Sequence, residues 1–451
     1  MNDFLAALLQ GPHSPQQDFT CHGATFADVY AMAGQLYTDF SRGDGREGSI
    51  APVCLATEDR SVIAAALLAA MASSTVLALP HSFSKTALQQ MQEATGFTTA
   101  VVDGERALPK NTHLLFSRAG KGDASLPQLS PKPDARLLQL FTGGSTGTPQ
   151  IWSKTAANLF GEARFMAERY QISAKDTIVA TVPPSHIYGL LFSVVIPLVV
   201  GANVLAETPS FPAEIEECVQ RELGTLLVSV PAHYRVLNGR HLHPSLRLAF
   251  SSAGMLDLGD NEGFCRSNDA GIVEVYGSTE TGGLATRNRS QGEDFFQPLE
   301  QVTWKVKEER LFVQSPFLSP DLVKDEDGFF LSGDRVQRQG DKSISLHGRA
   351  DAVTKVGGER VDLDEVRDVL QKVSGVRECV VVALEDKTGR GNRIAALVRG
   401  DAADLNAIQK SIALFLEPAA LPKRIRIVSE IPVTANGKYD RAAITALLSA
   451  S

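Results

Sequence analysis

The sequence predicts a large N-terminal α/β body followed by a small C-terminal α+β domain, and three observations predict it. The chain has 451 residues, more than the roughly 250–300 at which a single hydrophobic core stops growing. Up to Gly348, short Val-, Ile- and Leu-rich runs alternate with longer helical patterns. Beyond that point the pattern changes to amphipathic helices between half-buried strands.

The runs at residues 177–182, 202–205, 225–230 and 246–251 are rich in Val, Ile, Leu, Ala and Phe. Strands of that kind belong to parallel sheets covered by helices on both sides. Residues 61–80 are dominated by alanine and read as a buried helix followed by a strand. Residues 189–205 are more hydrophobic but contain Pro197 and Gly201, and they are short for a membrane span of about 20 residues. Both segments belong to a core, and no membrane span is expected. In the C-terminal part, residues 362–373 place Leu363, Val366, Val369, Leu370 and Val373 on one helical face, and Asp362 with Glu365 has capping-box spacing. Strands are expected at 378–384, 394–399 and 424–428, with helices around 405–416 and after Asp440. The expected division is a body over residues 1–350 and a C-terminal domain over 351–451.

Hydrophobic residues make up 43% and charged residues 21% of the chain, which excludes collagen, coiled coil and disordered tail. Five cysteines, Cys21, Cys54, Cys218, Cys265 and Cys379, never form a Cys-x-x-Cys pair. That pattern argues for reduced thiols in a cytoplasmic protein and against a zinc ribbon or redox dithiol. A formal net charge of −8 disfavours a protein that coats nucleic acid. No Lys or Arg precedes the apolar run at the N-terminus, so a secretory signal is not expected.

Residues 140–150 read LFTGGSTGTPQ. A strand at 137–141 enters a loop of glycines and hydroxyl residues, Thr142, Gly143, Gly144, Ser145, Thr146 and Gly147. Glycines let backbone N–H groups approach phosphate oxygens, and the hydroxyls add donors. The loop is not a Walker sequence, because no Gly-Lys-Ser/Thr follows at the required spacing. Residues 273–287 read VEVYGSTETGGLATR. A strand delivers Tyr276, Gly277 is expected to turn the chain, and Thr279 and Glu280 follow. An aromatic face stacks on a purine, a hydroxyl binds phosphate and a carboxylate holds Mg²⁺ on those phosphates. Further on, DGFFLSGDRV sets Asp334 at an expected strand end, LHGRADAVTKVGGERV carries Arg349, Asp351, Gly357 and Gly358, and PVTANGKYD carries Lys438. The HLH at His241–His243 lacks a third ligand and reads as surface decoration.

In this order the five motifs resemble the adenylate-forming superfamily of acyl- and aryl-CoA ligases, nonribosomal peptide adenylation domains and firefly luciferase, over about residues 20–451. The resemblance implies a large body and a mobile C-terminal lid that meet at Asp351. It implies that the loop from Thr142 to Gly147 holds the β- and γ-phosphates of ATP and that Tyr276, Gly277, Ala253 and Gly254 flank adenine. Thr279 would touch the α-phosphate, Glu280 would ligate Mg²⁺, and Asp334 with Arg349 would hold the ribose. Lys438 would bridge the substrate carboxylate and the α-phosphate. His186, Ser251, Ser252, Gly282 and Gly283 would line the acid pocket and thiol channel, the small residues leaving room for a ring or chain, and the Gly357–Gly358 loop would enter for the second half-reaction. The implied activity is ATP-dependent acid–thiol ligation through an acyl-AMP. Its cosubstrates are a small carboxylic acid and the pantetheine thiol of CoA or of an acyl-carrier protein.

Two positions depart from the family pattern. Gln150 stands where a lysine is usual, with Lys154 as a candidate substitute, and Gly143-Gly144 replaces Ser-Gly. The segment IWSKT after the loop resembles small stand-alone ligases of aryl-polyene pigment clusters, which points to an aromatic or polyene-chain acid. A non-catalytic nucleotide-binding scaffold is the alternative; Lys438, Glu280 and Asp334 speak against it, and Gln150 speaks for it.

Overall fold

The computed structural model describes residues 1–42, 51–116, 126–127, 131–142, 150–356, 359–385, 392–400, 405–434 and 439–449. The chain divides into two compact units, residues 1–303 with 314–323, and residues 304–313 with 324–451.

The first unit contains two sheets. One is built from β1 (Val53–Ala56), β2 (Leu77–Leu79), β3 (Thr99–Val102), β4 (His113–Phe116), β5 (Arg136–Thr142) and β6 (Gln150–Thr155), in the order β4-β3-β1-β2-β5-β6. Its neighbours run parallel except for the β5–β6 hairpin. The other is built from β7 (Thr177–Ala180), β8 (Asn203–Val204), β9 (Leu226–Ser229), β10 (Leu248–Ser251), β11 (Gly271–Ser278), β12 (Gly282–Asn288) and β13 (Gln297–Pro298). Its order is β13-β12-β11-β10-β9-β7-β8, parallel from β11 to β8 and antiparallel from β11 to β13. The expectation of parallel sheets therefore holds for the central strands, while each sheet ends on an antiparallel edge.

The alanine-rich segment forms a core helix, Arg60–Ser73, buried along nearly its whole length and capped by Asp59, which accepts from the Ser61 and Val62 N–H groups. The apolar run that follows β7 is helical, with a wide π-type turn at Leu191–Val195 between Ile187–Leu190 and Ile196–Val200. Pro197 follows the wide turn within this continuous helical run, and a widened turn is where a helix accommodates a residue that has no N–H to donate. Among the described residues no helix is long and apolar enough to cross a membrane.

In the second unit, β14 (Thr303–Lys307), β15 (Arg310–Gln314), β16 (Phe330–Gln339) and β17 (Ser343–Arg349) form a sheet in chain order. The hairpin β18 (Val353–Val356) and β19 (Glu359–Asp362) leads into helix Leu363–Gln371, whose N-cap Asp362 accepts from the Asp364 N–H. Val366 and Leu370 of that helix are buried, and Leu363, Val369 and Val373 pack beside them, as the periodicity predicts. The last sheet, β20 (Glu378–Glu385), β21 (Asn392–Arg399) and β22 (Arg424–Val428), has apolar clusters built on alternate residues of β21. Cys379 and Ile394 join one, and Val380 and Ala395 the other. That two-sided burial gives the C-terminal residues a core of their own.

Gly189, in the segment PPSHIYGL, marks a close backbone approach. A Cβ placed there would lie 2.0 Å from the Pro183 carbonyl oxygen and 2.7 Å from its carbon, and backbone atoms cannot swing aside. Gly189→Ala is expected to cost about 1–3 kcal/mol, the range for forced overpacking, read as a lower urea midpoint with unchanged slope.

Candidate active site

The hairpin β11–β12 presents the first part of the site. The sequence expectation that Gly277 turns the chain is corrected. β11 continues through Gly277 to Ser278 with a register shift between Tyr276 and Gly277, and the turn lies at Thr279–Thr281. The reason is steric: a Cβ on Gly277 would lie 2.2 Å from the Gly282 carbonyl oxygen, so glycine permits a bulge there. Hydroxyl groups then tie the turn. Thr281 Oγ1 accepts from the Ser278 N–H at 3.0 Å, bonds the Ser278 hydroxyl at 2.9 Å and donates to the Gly282 carbonyl at 2.8 Å. Thr279 and Glu280 ride on this turn, both half-buried, and the Glu280 carbonyl accepts from the Ser319 N–H at 2.8 Å. Tyr276 meets Phe296 edge-on, with ring centroids 6.0 Å apart.

At the end of the neighbouring strand β10, Ser252 donates to the Val275 carbonyl at 2.9 Å and so joins β10 to β11. Ala253 follows in the left-handed region at φ 70°, a conformation that costs a non-glycine residue of order 1 kcal/mol or more, and Gly254 is exposed. The Ser251 hydroxyl is buried and has no hydrogen-bond partner in the structure. The expectation that Gly282 and Gly283 leave room for substrate is corrected. Cβ atoms there would lie 2.5 Å and 3.2 Å from the Glu162 carboxylate oxygens, so a protein side chain occupies that space. His186 is half-buried and caps helix Ile187–Leu190, its carbonyl accepting from the Leu190 N–H at 2.7 Å.

A polar cluster absent from the sequence expectations lies at the carboxyl ends of β7 and β9. Thr181 and Ser229 hydroxyls bond each other at 2.7 Å, and His233 Nδ1 meets them at 2.8 and 3.1 Å. Tyr188 donates to the Ser229 carbonyl at 3.2 Å. A readable signal existed: TVPPSH and SVPAH each follow a strand with Val-Pro and a histidine.

The glycine loop joins β5 to β6. Thr142 pairs with Gln150 and donates to its carbonyl at 3.4 Å; Gly143, Gly144, Ser145, Thr146 and Gly147 lie outside the described residues. Gln150 is exposed, but the expectation that Lys154 substitutes for the usual lysine is overturned. Lys154 is 1% exposed, and its ammonium donates to the Phe317 carbonyl at 2.8 Å and reaches the Glu280 carbonyl at 3.5 Å. It also stands four residues along β6 from Gln150, about 13 Å at strand rise. Burial lowers its pKa to about 8, opposed by the Glu162 and Glu280 carboxylates. Glu162, on helix Ala156–Arg169, is equally buried and accepts from the Gly283 N–H at 2.7 Å. Burial raises its pKa, which Lys154 and the Gly283 bond oppose.

In the second unit, Asp334 stands opposite Arg349 across β16–β17. Asp334 lies inside a ten-residue strand at a register irregularity, not at the expected strand end. Gly333 leaves space for the Arg349 guanidinium, since a Cβ there would lie 2.8 Å from Nη2. Asp351 occupies the single 3₁₀ turn Ala350–Ala352. The Arg349 N–H donates to Asp364 at 3.0 Å, and Arg335 pairs with Asp362. Gly357, Gly358 and Lys438 lie outside the described residues.

Among the described residues no cluster of three or more His, Cys, Asp and Glu side chains is arranged to hold a metal ion. His241 and His243 instead meet the Ser267 carbonyl and Ser245 hydroxyl through Nδ1. Mg²⁺ is commonly held by one or two carboxylates together with substrate phosphates, so the single half-buried carboxylate of Glu280 fits a metal that arrives with its nucleotide.

The model of the AMP-binding enzyme family matches residues 25–313, and that of the AMP-binding enzyme C-terminal domain matches residues 365–438. Curated relatives include sulfoacetate–CoA ligase of Cupriavidus necator, 27% identical over 71% of this chain and 68% of the relative. Another is 4-coumarate–CoA ligase of Rhodobacter capsulatus, 30% identical over 69% of this chain and 76% of the relative. The ATP-bound crystal structure of MatB from Rhodopseudomonas palustris shares the fold at a TM-score of 0.81, with 18% identity and 99% of both chains covered. The chain belongs to the AMP-binding enzyme family. It is an AMP-forming acyl/aryl-CoA ligase whose reaction uses ATP, Mg²⁺ and CoA.

Proposed function

We propose that this ligase activates an aromatic or conjugated-chain carboxylic acid in the cytoplasm and transfers it to CoA, with the site residues in the roles their positions support. The Ser278–Gly282 turn carries this reading, because it holds Thr279 and Glu280 beside the carboxyl ends of β10 and β11, where open α/β sheets bind their ligands. Tyr276 and Gly277 with Ala253 and Gly254 flank adenine, and Thr142 opens the loop that holds the outer phosphates. Asp334 accepts from the ribose hydroxyls, and Arg349 reinforces it.

A carboxylate is a poor acyl donor because its leaving group would be oxide. Its oxygen attacks the α-phosphorus of ATP, the bond to the β-phosphate breaks, and pyrophosphate leaves. The acyl-AMP then loses AMP when a thiolate attacks its carbonyl carbon. Glu280 would hold Mg²⁺, which would supply positive charge against the phosphates. Lys438 bridges carboxylate and α-phosphate, Thr279 donates to the α-phosphate, and the Gly357–Gly358 segment serves the thiol step.

The half-buried ring of Tyr188, backed by a packed aromatic core, is the aromatic surface beside the end of β9 that favours such an acid. Tyr188 packs on Phe192 at 5.3 Å, and Phe192 on Phe250 at 4.6 Å. One relative is named for 4-coumarate. His186 and the unpartnered Ser251 hydroxyl complete the polar lining. Five free cysteines accord with a reducing compartment. ATP–pyrophosphate exchange with cinnamic, benzoic, polyenoic and short alkyl acids should be fastest with the first three. Preference for a short alkyl acid would overturn the acid class, and turnover with a holo-carrier protein but not CoA would overturn the acceptor.

Lys438→Ala is expected to slow adenylation by about 10²-fold or more, the range for removing one charge-stabilising donor. Thioester formation from preformed acyl-AMP should stay near normal; equal losses in both half-reactions would refute the role.

Asp351 is proposed as the hinge about which the C-terminal domain moves between half-reactions, since few backbone dihedrals absorb such motions. Proline at 351 fixes φ near −65° and restricts Ala350 as well. Asp351→Pro is expected to leave ATP–pyrophosphate exchange near normal and to reduce thioester output by orders of magnitude. Normal thioester output would show that no large rotation about this residue is needed.

A further inference from the structure

Two buried charges beside the site have no part in the chemistry above. Lys154 ends β6, and Glu162 lies on the helix that follows, fixed to the strand by the Thr155–Asn158 capping box. From this corner the protein reaches two other segments. Lys154 donates to Phe317 at 2.8 Å and approaches the Glu280 carbonyl at 3.5 Å, while Glu162 accepts from the Gly283 N–H at 2.7 Å. Asn158 adds a bond to the Pro316 carbonyl at 2.6 Å, and Ser319 donates to the Glu280 carbonyl at 2.8 Å. The turn is thus held on both sides, at Glu280 by the Lys154 side chain and at Gly283 by the Glu162 side chain.

Geometry closes the other escape. Gly282 is left-handed at φ 66°, and its missing Cβ would lie 2.5 Å from Glu162 and 2.9 Å from Phe317 Cβ. The carboxylate therefore seats in a notch that only glycine leaves open. Lys154 and Glu162 spend their hydrogen bonds on backbone groups and not on each other, and ionisable groups buried in this way are often no more stabilising than apolar ones of similar volume, so burying them here gains most where their bonds hold a particular backbone geometry. Four backbone groups around this corner, at residues 280, 283, 316 and 317, need partners in the dry interior. A lysine, a glutamate and an asparagine supply them without adding net charge.

The geometry points to Lys154 and Glu162 as paired positioning residues that hold the Ser278–Gly283 turn so that the Glu280 carboxylate meets the metal of the bound nucleotide. The inference rests on the metal role proposed for Glu280. Neither residue touches substrate.

The test uses the full-length enzyme with Lys154→Met, Glu162→Gln and the double variant, alongside Glu280→Ala. ATP binding is measured by calorimetry with and without Mg²⁺, together with the Mg²⁺ concentration that half-saturates ATP–pyrophosphate exchange. Loss of one or two positioning hydrogen bonds should shrink the gain in ATP affinity that Mg²⁺ brings by roughly 3- to 10-fold. Metal-free ATP affinity and KM for the acid should stay within about twofold. The double variant should lose no more than about the worse single variant, as expected for residues that act as one unit. If Lys154→Met fails to fold because it strands the Glu162 carboxylate, the neutral double variant decides. Folded variants with an unchanged Mg²⁺ gain would overturn the proposal, and so would failure of all three to fold, which would make the pair a folding element. Glu280→Ala separates the two ideas. If it leaves the Mg²⁺ gain intact, the metal assignment falls; if it removes the gain while the paired variants keep it, only the positioning role falls.

Discussion

The antiparallel return of the chain at Ser278–Gly282 is the constraint on which the site in the first unit depends. Five strands of the second sheet run parallel, and β9 and β10 lead on into helices, but β11 does not. Instead β12 folds back on β11, and the chain there approaches itself so closely that Gly277 has no space for a Cβ beside the Gly282 carbonyl. The bulge at Tyr276–Gly277 re-aims the end of β11, and the Ser278–Thr281 hydroxyl bonds stop the turn from fraying. Ser252 then ties the end of β10 to Val275, so the link between β10 and β11 extends past their ladder toward Ala253.

Buried charge in the second sheet is gathered into a compact group around Glu274. Glu274 on β11 is buried and meets Arg287 at 2.9 Å and Arg289 at 3.0 Å. The Arg287 guanidinium lies 4.4 Å from the Phe296 ring centroid, and Phe296 in turn meets Tyr276. A buried ion group thus supports the aromatic residue assigned to adenine through two ring contacts. Removing any one partner would leave charge stranded in a low-dielectric interior, which costs far more than the intact group contributes.

In the second unit, one short acidic segment serves two purposes. Asp362 caps helix Leu363–Gln371 and pairs with Arg335 on β16; Asp364 accepts from the Arg349 N–H and pairs with Arg367. Gly348, left-handed at φ 84°, allows Asp364 to come this close, since a Cβ there would lie 1.8 Å from its Oδ2. The start of helix Leu363–Gln371 and strands β16 and β17 are therefore coupled in the arrangement seen.

Much of this was legible in the sequence because it follows from local chemistry. Apolar runs placed strands such as β10, and a period-3.6 pattern placed the helix face of Leu363, Val366 and Leu370. Motif order identified the family, since Gly-rich loops and the Tyr276–Glu280 segment need particular residue types wherever they are used. What the sequence misjudged depended on which distant atoms meet. Lys154 looked like a spare phosphate ligand four residues from Gln150, and only folding shows it turned inward to the Phe317 carbonyl, 163 positions away in the chain. Gly282 and Gly283 looked like open space, yet they are the notch for Glu162. The Thr181–Ser229–His233 cluster joins residues from separate strands. Local sequence sets backbone preference and the chemistry available at each position, whereas the partner of a buried polar group is decided when sheets and helices pack, because only then is water removed and a particular donor or acceptor required.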